Sequence, residues 1–225
     1  STTSVSDLIN EFRFPDKRVK LICEHENTLL GFTENNGYAI VGTGGILDDI
    51  GTRGLTNEHL VPEGAAGARA GRSTPYGFAW MTPGRKINLL ASGQIADIGY
   101  TIQPQLNTIP ESSLPDTSFF WWDGNGRKWL TVTACCTDAD DLAGTPAWRI
   151  LVYDFDLATD RPGEWSEYKD HAYTVVKDYF DGDQRFLLAG DVSGSVWQLD
   201  TIVNPTHLSR SAILGKTYLG STLQS

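Results

Sequence analysis

Arg149-Ile-Leu-Val-Tyr-Asp154, Glu164-Trp-Ser-Glu-Tyr168, Tyr173-Thr-Val-Val-Lys177, Arg185-Phe-Leu-Leu-Ala189 and Ser195-Val-Trp-Gln-Leu-Asp200 follow one another in close succession. Each run is rich in aliphatic, β-branched or aromatic residues, and Gly, Asp, Asn or Pro stands at its ends, the pattern of short antiparallel strands joined by turns. The stretch from Ile150 to Asp200 therefore reads as one complete blade of a β-propeller. That reading sets an architecture and leaves the chemistry open, because propellers serve as enzymes, lectins and parts of larger assemblies.

The same signal extends upstream. Strands are expected at Val19 to Glu24, Thr28 to Thr33 and Tyr38 to Gly42, with Asn35-Asn36-Gly37 as a hairpin turn tolerant of positive φ. Further strands are expected at Gly77 to Thr82, Lys86 to Ala91, Gln94 to Ile98, Ser118 to Trp122 and Lys128 to Thr133. Three segments interrupt them: the Gly- and Ala-rich Gly44 to Pro75, the proline-bearing Gln103 to Pro115, and the acidic Thr137 to Pro146. These read as long loop excursions. The expected organisation is a polar lead-in over 1–15 with a helical flavour at Ser6 to Phe12, blades over 16–200, and a C-terminal extension over 201–225.

A weak internal repeat accompanies the strands. Asp123-Gly-Asn-Gly126-Arg-Lys-Trp129 and Asp191-Val-Ser-Gly194-Ser-Val-Trp197 share the spacing D-x-x-G-x-x-W, and Glu34-Asn-Asn-Gly37-Tyr-Ala-Ile40 is a looser copy. In each, an acid and a glycine shape a tight turn that launches a strand with a large apolar residue. Trp165, in the run Glu164 to Tyr168, is a further structural candidate. A blade takes about 40–50 residues, so the chain is expected to form an incomplete propeller of about three to four four-stranded blades.

Composition narrows the function. The net charge of −10 and the scatter of Lys and Arg argue against a general nucleic-acid binder, which needs a basic face. There is no apolar run long enough to span a bilayer. Ser1-Thr-Thr-Ser-Val-Ser-Asp-Leu8 lacks a basic region and an apolar core, so no signal peptide is expected; the absent initiator Met fits either trimming before Ser1 or a start within a longer protein. Cys23, Cys135 and Cys136 are odd in number, and adjacent strand residues point to opposite faces, so buried reduced thiols are expected, as in a reducing cytoplasm.

Candidate chemistry is sparse. Asp138-Ala-Asp140-Asp141, Asp154-Phe-Asp156 and Asp181-Gly-Asp183 have the alternation of calcium loops, with Asp138, Asp140, Asp141, Asp181 and Asp183 as candidate ligands. None completes an EF-hand, and solvated turns are the simpler reading. His25, His59, His171 and His207 show no i, i+4 metal spacing. No G-x-S-x-G elbow is present, and Gly42-Thr-Gly-Gly45 lacks the Lys and helix of a phosphate loop. The D-x-x-G-x-x-W copies miss the Asp-box of sialidase-type glycosidases by one residue, which leaves a glycosidase as the weakest alternative. No enzyme activity and no cofactor is expected. Phe119-Phe-Trp-Trp122 places large rings on both faces of a strand. Between packed sheets both faces are core; exposed, Trp121, Trp122 and Trp148 would stack on sugars, as in a receptor- or glycan-binding propeller.

Three groups of stretches carry a wider likeness. They are Asn10 to Pro15 with Val19 to Thr33 and Gly37 to Val41; Gly67 to Thr74 with Gly77 to Ile87 and Ile95 to Gly99; and Leu151 to Asp154 with Glu164-Trp165, Leu188 to Asp191 and Gly194 to Asp200. Together they resemble the β-propeller proteins of phage tails, notably the tail hub or nozzle proteins of short-tailed phages. The resemblance implies a structural virion subunit, assembled in the host cytoplasm into a homo-oligomeric ring with other tail subunits, with no catalytic site to carry over. It implies that DNA passes without sequence-specific binding, and an acidic lumen would repel its phosphates. The loops at Gly44 to Pro75 and Gln103 to Pro115 would then be inter-subunit or channel-facing arms. Family members are typically longer, and Asn204 to Ser225 reads as the start of their further region.

Overall fold

A computed structural model describes Phe14 and residues 18–42, 55–156 and 164–199 of the 225-residue chain. These residues form an all-β protein of four antiparallel sheets, each a meander of strands consecutive in sequence and none closed on itself. The first sheet holds β1 (Leu21–His25), β2 (Thr28–Phe32), β3 (Gly37–Gly42) and β4 (Leu55–Val61). The second holds β5 (Gly71–Thr74), β6 (Gly77–Met81), β7 (Ile87–Ala91) and β8 (Gln94–Asp97). The third holds β9 (Ser118–Gly124), β10 (Arg127–Cys136), β11 (Ala147–Asp154) and β12 (Glu164–Tyr168), and the fourth β13 (Tyr173–Phe180), β14 (Arg185–Asp191) and β15 (Val196–Gln198).

Local chemistry closes the hairpins. Glu26-Asn27, Ser92-Gly93 and Asn125-Gly126 each have positive φ at both central residues and join β1 to β2, β7 to β8 and β9 to β10. This backbone matches the right-handed twist of the flanking strands. The Asn35-Asn36-Gly37 turn is built differently, and none of its residues takes positive φ. The Thr33 hydroxyl accepts the N–H groups of Asn35 and Asn36 at 3.3 and 3.1 Å, so a side-chain cap sets the turn.

The run from Ile150 to Asp200 corrects the expectation of one complete blade. One edge of β11 is held by β10 through eight residue pairs, from Trp129↔Asp154 to Cys136↔Ala147. The other edge is held by β12, which ends the third sheet. The chain then crosses at 169–172, and β13 begins the next sheet.

Alternating residues bury both faces of the inner sheets. Leu21, Leu30 and Phe32 of the first sheet pack with Phe78, Trp80 and Leu90 of the second. Ala79, Met81 and Ile87 use the opposite face of the second sheet and meet Phe119, Leu130, Val132 and Leu151 of the third. Phe120, Trp122, Ile150 and Val152, on the third sheet's other face, pack with Tyr173, Val176 and Leu187 of the fourth. Each fully buried side chain of this size stabilises by about 1.5–3 kcal/mol relative to exposure. On the outer face of the first sheet, Phe14 lies 5.5 Å from the Tyr38 ring.

Two expected excursions are built into this packing. Within Gly44 to Pro75 the chain forms β4 and β5, and Ala65, Ala66 and Ala70 are buried. The small residues there serve close approach: a Cβ on Gly67 would stand 2.0 Å from the Pro115 carbonyl oxygen. Gln103 to Pro115 is no free arm either. It opens with the short helix α1 (Gln103–Leu106), and Leu106, Ile109 and Leu114 fill the core between the second and third sheets. The prolines concealed a helical turn that buries Gln105 and Leu106. The expected helix at Ser6 to Phe12, the extension over 201–225 and His207 lie outside the described residues.

Candidate functional site

The first strands of the four sheets lie side by side, β1 against β5, β5 against β9 and β9 against β13. They surround a cavity of about 580 Å³. Its buried apolar lining comes from Leu21, Phe119, Phe120 and Val176, with Ile22 and Val175 more open, while Glu24, Arg69, Arg72 and Lys177 are exposed around it. Backbone and side-chain bonds fix this junction. The Phe119 N–H donates to the Arg69 carbonyl at 2.9 Å, and His25 Nδ1 lies 2.8 Å from the Ser73 hydroxyl, joining β1 to β5. The charge here opposes that of the chain as a whole: three cations and one acid.

A second polar cluster sits at the end of β11. Arg149 is buried at 5% exposure and donates to Asp138 and, at 3.4 Å, to Glu167. Lys169 reaches the same carboxylates at 3.2 and 3.5 Å. Gln105 Nε2 donates to Glu167 at 2.8 Å and to the Thr137 carbonyl at 3.0 Å. The Arg149 hydrogen bond holds the Asp138 carboxyl below the usual aspartate range, and burial pushes the neighbouring Cys136 thiol up to about 12. A pocket of about 390 Å³ adjoins this cluster, lined in part by Gln105, Trp165, Glu167 and Lys169. Two cations facing two carboxylates neutralise one another, so the cluster reads as an internal clamp between β11, β12 and the 137–146 loop.

Of the candidate calcium ligands, Asp138 and Asp181 spend their carboxylates on structural bonds. Asp138 is held by Arg149 and Lys169, and its backbone bridges to Asp141. Asp181 accepts the N–H groups of Asp183 and Gln184 at 2.9 and 2.8 Å, which lowers its carboxyl pKa through those backbone bonds and closes the β13–β14 turn. Asp140 and Asp183 are exposed. Among the described residues no group of three His, Cys, Asp or Glu side chains stands together as a metal centre.

The repeat residues divide into two wirings. At the second copy, Asp191 Oδ1 accepts the N–H groups of Ser193 and Ser195 at 2.9 Å, and its Oδ2 accepts the Trp197 indole N–H at 2.7 Å. Those bonds, the Ser193 hydroxyl and the Trp197 indole foremost, hold the Asp191 carboxyl well below its ordinary pKa. At the first copy, Gly126 has φ +71, as Gly194 has φ +80. Asp123, however, leaves the tryptophan to another acid: Trp129 donates to Asp154 at 2.9 Å. Trp165 donates to the Ile98 carbonyl at 2.7 Å and ties β12 to the second sheet.

The aromatic candidates separate by burial. Trp122 is 0% exposed and offers no face to a sugar. Trp121 is half-buried, with its ring edge-on to Tyr76 and Phe155 at 5.9 and 5.6 Å. Trp148 is half-buried on β11, opposite Cys135 of β10. The sequence reading missed Arg69, Arg72 and Lys177, because cations scattered along the chain meet only where the first strands converge. The thiols of Cys23, Cys135 and Cys136 are free. No helix among the described residues is long and apolar enough to cross a membrane. Comparison with protein-family models and with curated proteins finds no match to this chain.

Proposed function

We propose that the four meanders are blades of a β-propeller and that the chain is a non-catalytic structural subunit of a phage tail, part of the hub or nozzle around the DNA channel. The observation that carries the propeller is the convergence of β1, β5, β9 and β13 on one cavity while successive sheets pack face to face. Blades arranged about an axis require both features. The tail assignment is supported by the resemblance of residues 10–15, 19–33, 37–41, 67–74, 77–87, 95–99, 151–154, 164–165, 188–191 and 194–200 to tail propellers. On this reading the subunit assembles in the host cytoplasm and joins the virion tail as a ring with neighbouring tail subunits. The Arg149 ion-pair clamp and the buried aromatic anchors suit a rigid building block.

Native mass spectrometry or light scattering of the purified chain tests the reading. A discrete multimer, visible as rings by negative-stain microscopy, is expected. A stable monomer at micromolar concentration counts against ring assembly and favours a receptor- or glycan-binding module, for which a glycan array is the next measurement.

A further inference from the structure

We propose that the cavity where β1, β5, β9 and β13 meet binds a small polyanion carrying phosphate groups. The lining carries three cations, Arg69, Arg72 and Lys177, against the single acid Glu24, in a chain with 28 acidic and 18 basic residues. Among the described residues none of these three cations takes an ion pair. Lys86, Lys128, Arg149, Lys169 and Arg185, by contrast, each face a carboxylate.

Arg72 and Lys177 come from different sheets and converge on one ring. The Arg72 guanidinium carbon lies 5.6 Å, and the Lys177 ammonium 5.8 Å, from the centre of Phe120. The ring quadrupole attracts both cations yet neutralises neither. Both cations line the same cavity, so an anion held there gains charge-assisted contacts without displacing a carboxylate from either of them. A guanidinium grips phosphate through paired N–H groups and an ammonium adds a point charge, so the pair suits a ligand with more than one anionic oxygen. The volume of about 580 Å³ falls in the range of about 300–1,000 Å³ usual for small-molecule sites, so a nucleotide- or sugar-phosphate-sized molecule fits.

Isothermal titration of the intact chain with pyrophosphate at low salt, with citrate as the comparison anion, tests the site. Saturable one-to-one binding is expected, tighter for pyrophosphate. Arg72→Gln and Lys177→Gln should each weaken it about tenfold, the loss of one charge-assisted contact. Both side chains are exposed, so their replacement leaves the cores intact, and Glu24→Gln should tighten binding, a change that misfolding does not produce. Lys86→Gln, paired with Glu63 away from the cavity, should leave affinity unchanged. Absence of saturable binding, tighter binding of citrate, undiminished affinity in the Arg72→Gln/Lys177→Gln double variant, or equal weakening by Lys86→Gln overturns the proposal. The site is independent of the tail reading: rings that bind no pyrophosphate defeat the site alone, and a monomer that binds it defeats ring assembly alone.

Discussion

In the third sheet Trp129, placed three residues after the glycine of its turn, donates its indole N–H across to Asp154 on the neighbouring strand at 2.9 Å. In the fourth sheet Trp197, at the same spacing, donates to Asp191 of its own turn at 2.7 Å. The first bond ties two strands together inside a sheet covered on both faces. The second staples a turn at the end of a sheet whose outer face is open, with Tyr179 at 53% exposure. One spacing thus serves two ends: tertiary burial where neighbours exist on both sides, local hydrogen bonding where they do not.

The sharpest break of this comparison is a pair of truncations. Trp122→Ala empties a fully buried position between the third and fourth sheets and should cost about 3–5 kcal/mol in urea unfolding. Trp197→Ala removes a half-buried ring that stacks on His171 at 3.6 Å and one charge-assisted bond, and should cost on the order of 2 kcal/mol. Equal losses would show the two sheets to be held alike.

Much of the first half of this picture is readable in sequence. Strand positions follow from alternation and from turns such as Asn125-Gly126 and Ser92-Gly93, whose backbone preferences are local. Which strands share a sheet is less readable, since β12 and β13 are separated by a connection no longer than many hairpin loops, and only the pairing of β10 with β11 decides where the sheet ends. The alanines at 65, 66 and 70 look loop-like because their role, close packing against 114–117 and β6, is long-range. For the same reason the cation cluster is invisible in one dimension: Arg72 and Lys177 meet at Phe120 through topology.

A gentler perturbation separates the two wirings by pH. Asp191 has a folded pKa depressed by its bonds to Ser193 and Trp197. A depressed carboxyl contributes stability that is fully present above the unfolded aspartate value of about 3.9 and fades as the pH falls below it toward the folded pKa. Amides of β14 and β15 should therefore lose hydrogen-exchange protection as the medium is acidified through that window. Asp191→Asn should lower protection already at neutral pH and flatten its pH dependence there, with the effect confined to the fourth sheet. Unchanged acid sensitivity of β14 and β15 in that variant would assign it to other carboxylates.

The smallest expected effect lies in the core the two sheets share. Tyr173 of β13 is 0% exposed, and its hydroxyl finds no hydrogen-bond partner among the described residues; burial raises its pKa. A buried hydroxyl without a partner forfeits its hydration and gains nothing in return, whereas the ring itself contributes apolar contact. Tyr173→Phe keeps the ring and removes the oxygen. It should leave stability unchanged or raise it by up to about 1 kcal/mol, measured by urea unfolding beside Trp122→Ala. A loss of stability would mean the hydroxyl is bonded after all, and the boundary between the third and fourth sheets would then rest on polar as well as apolar contact.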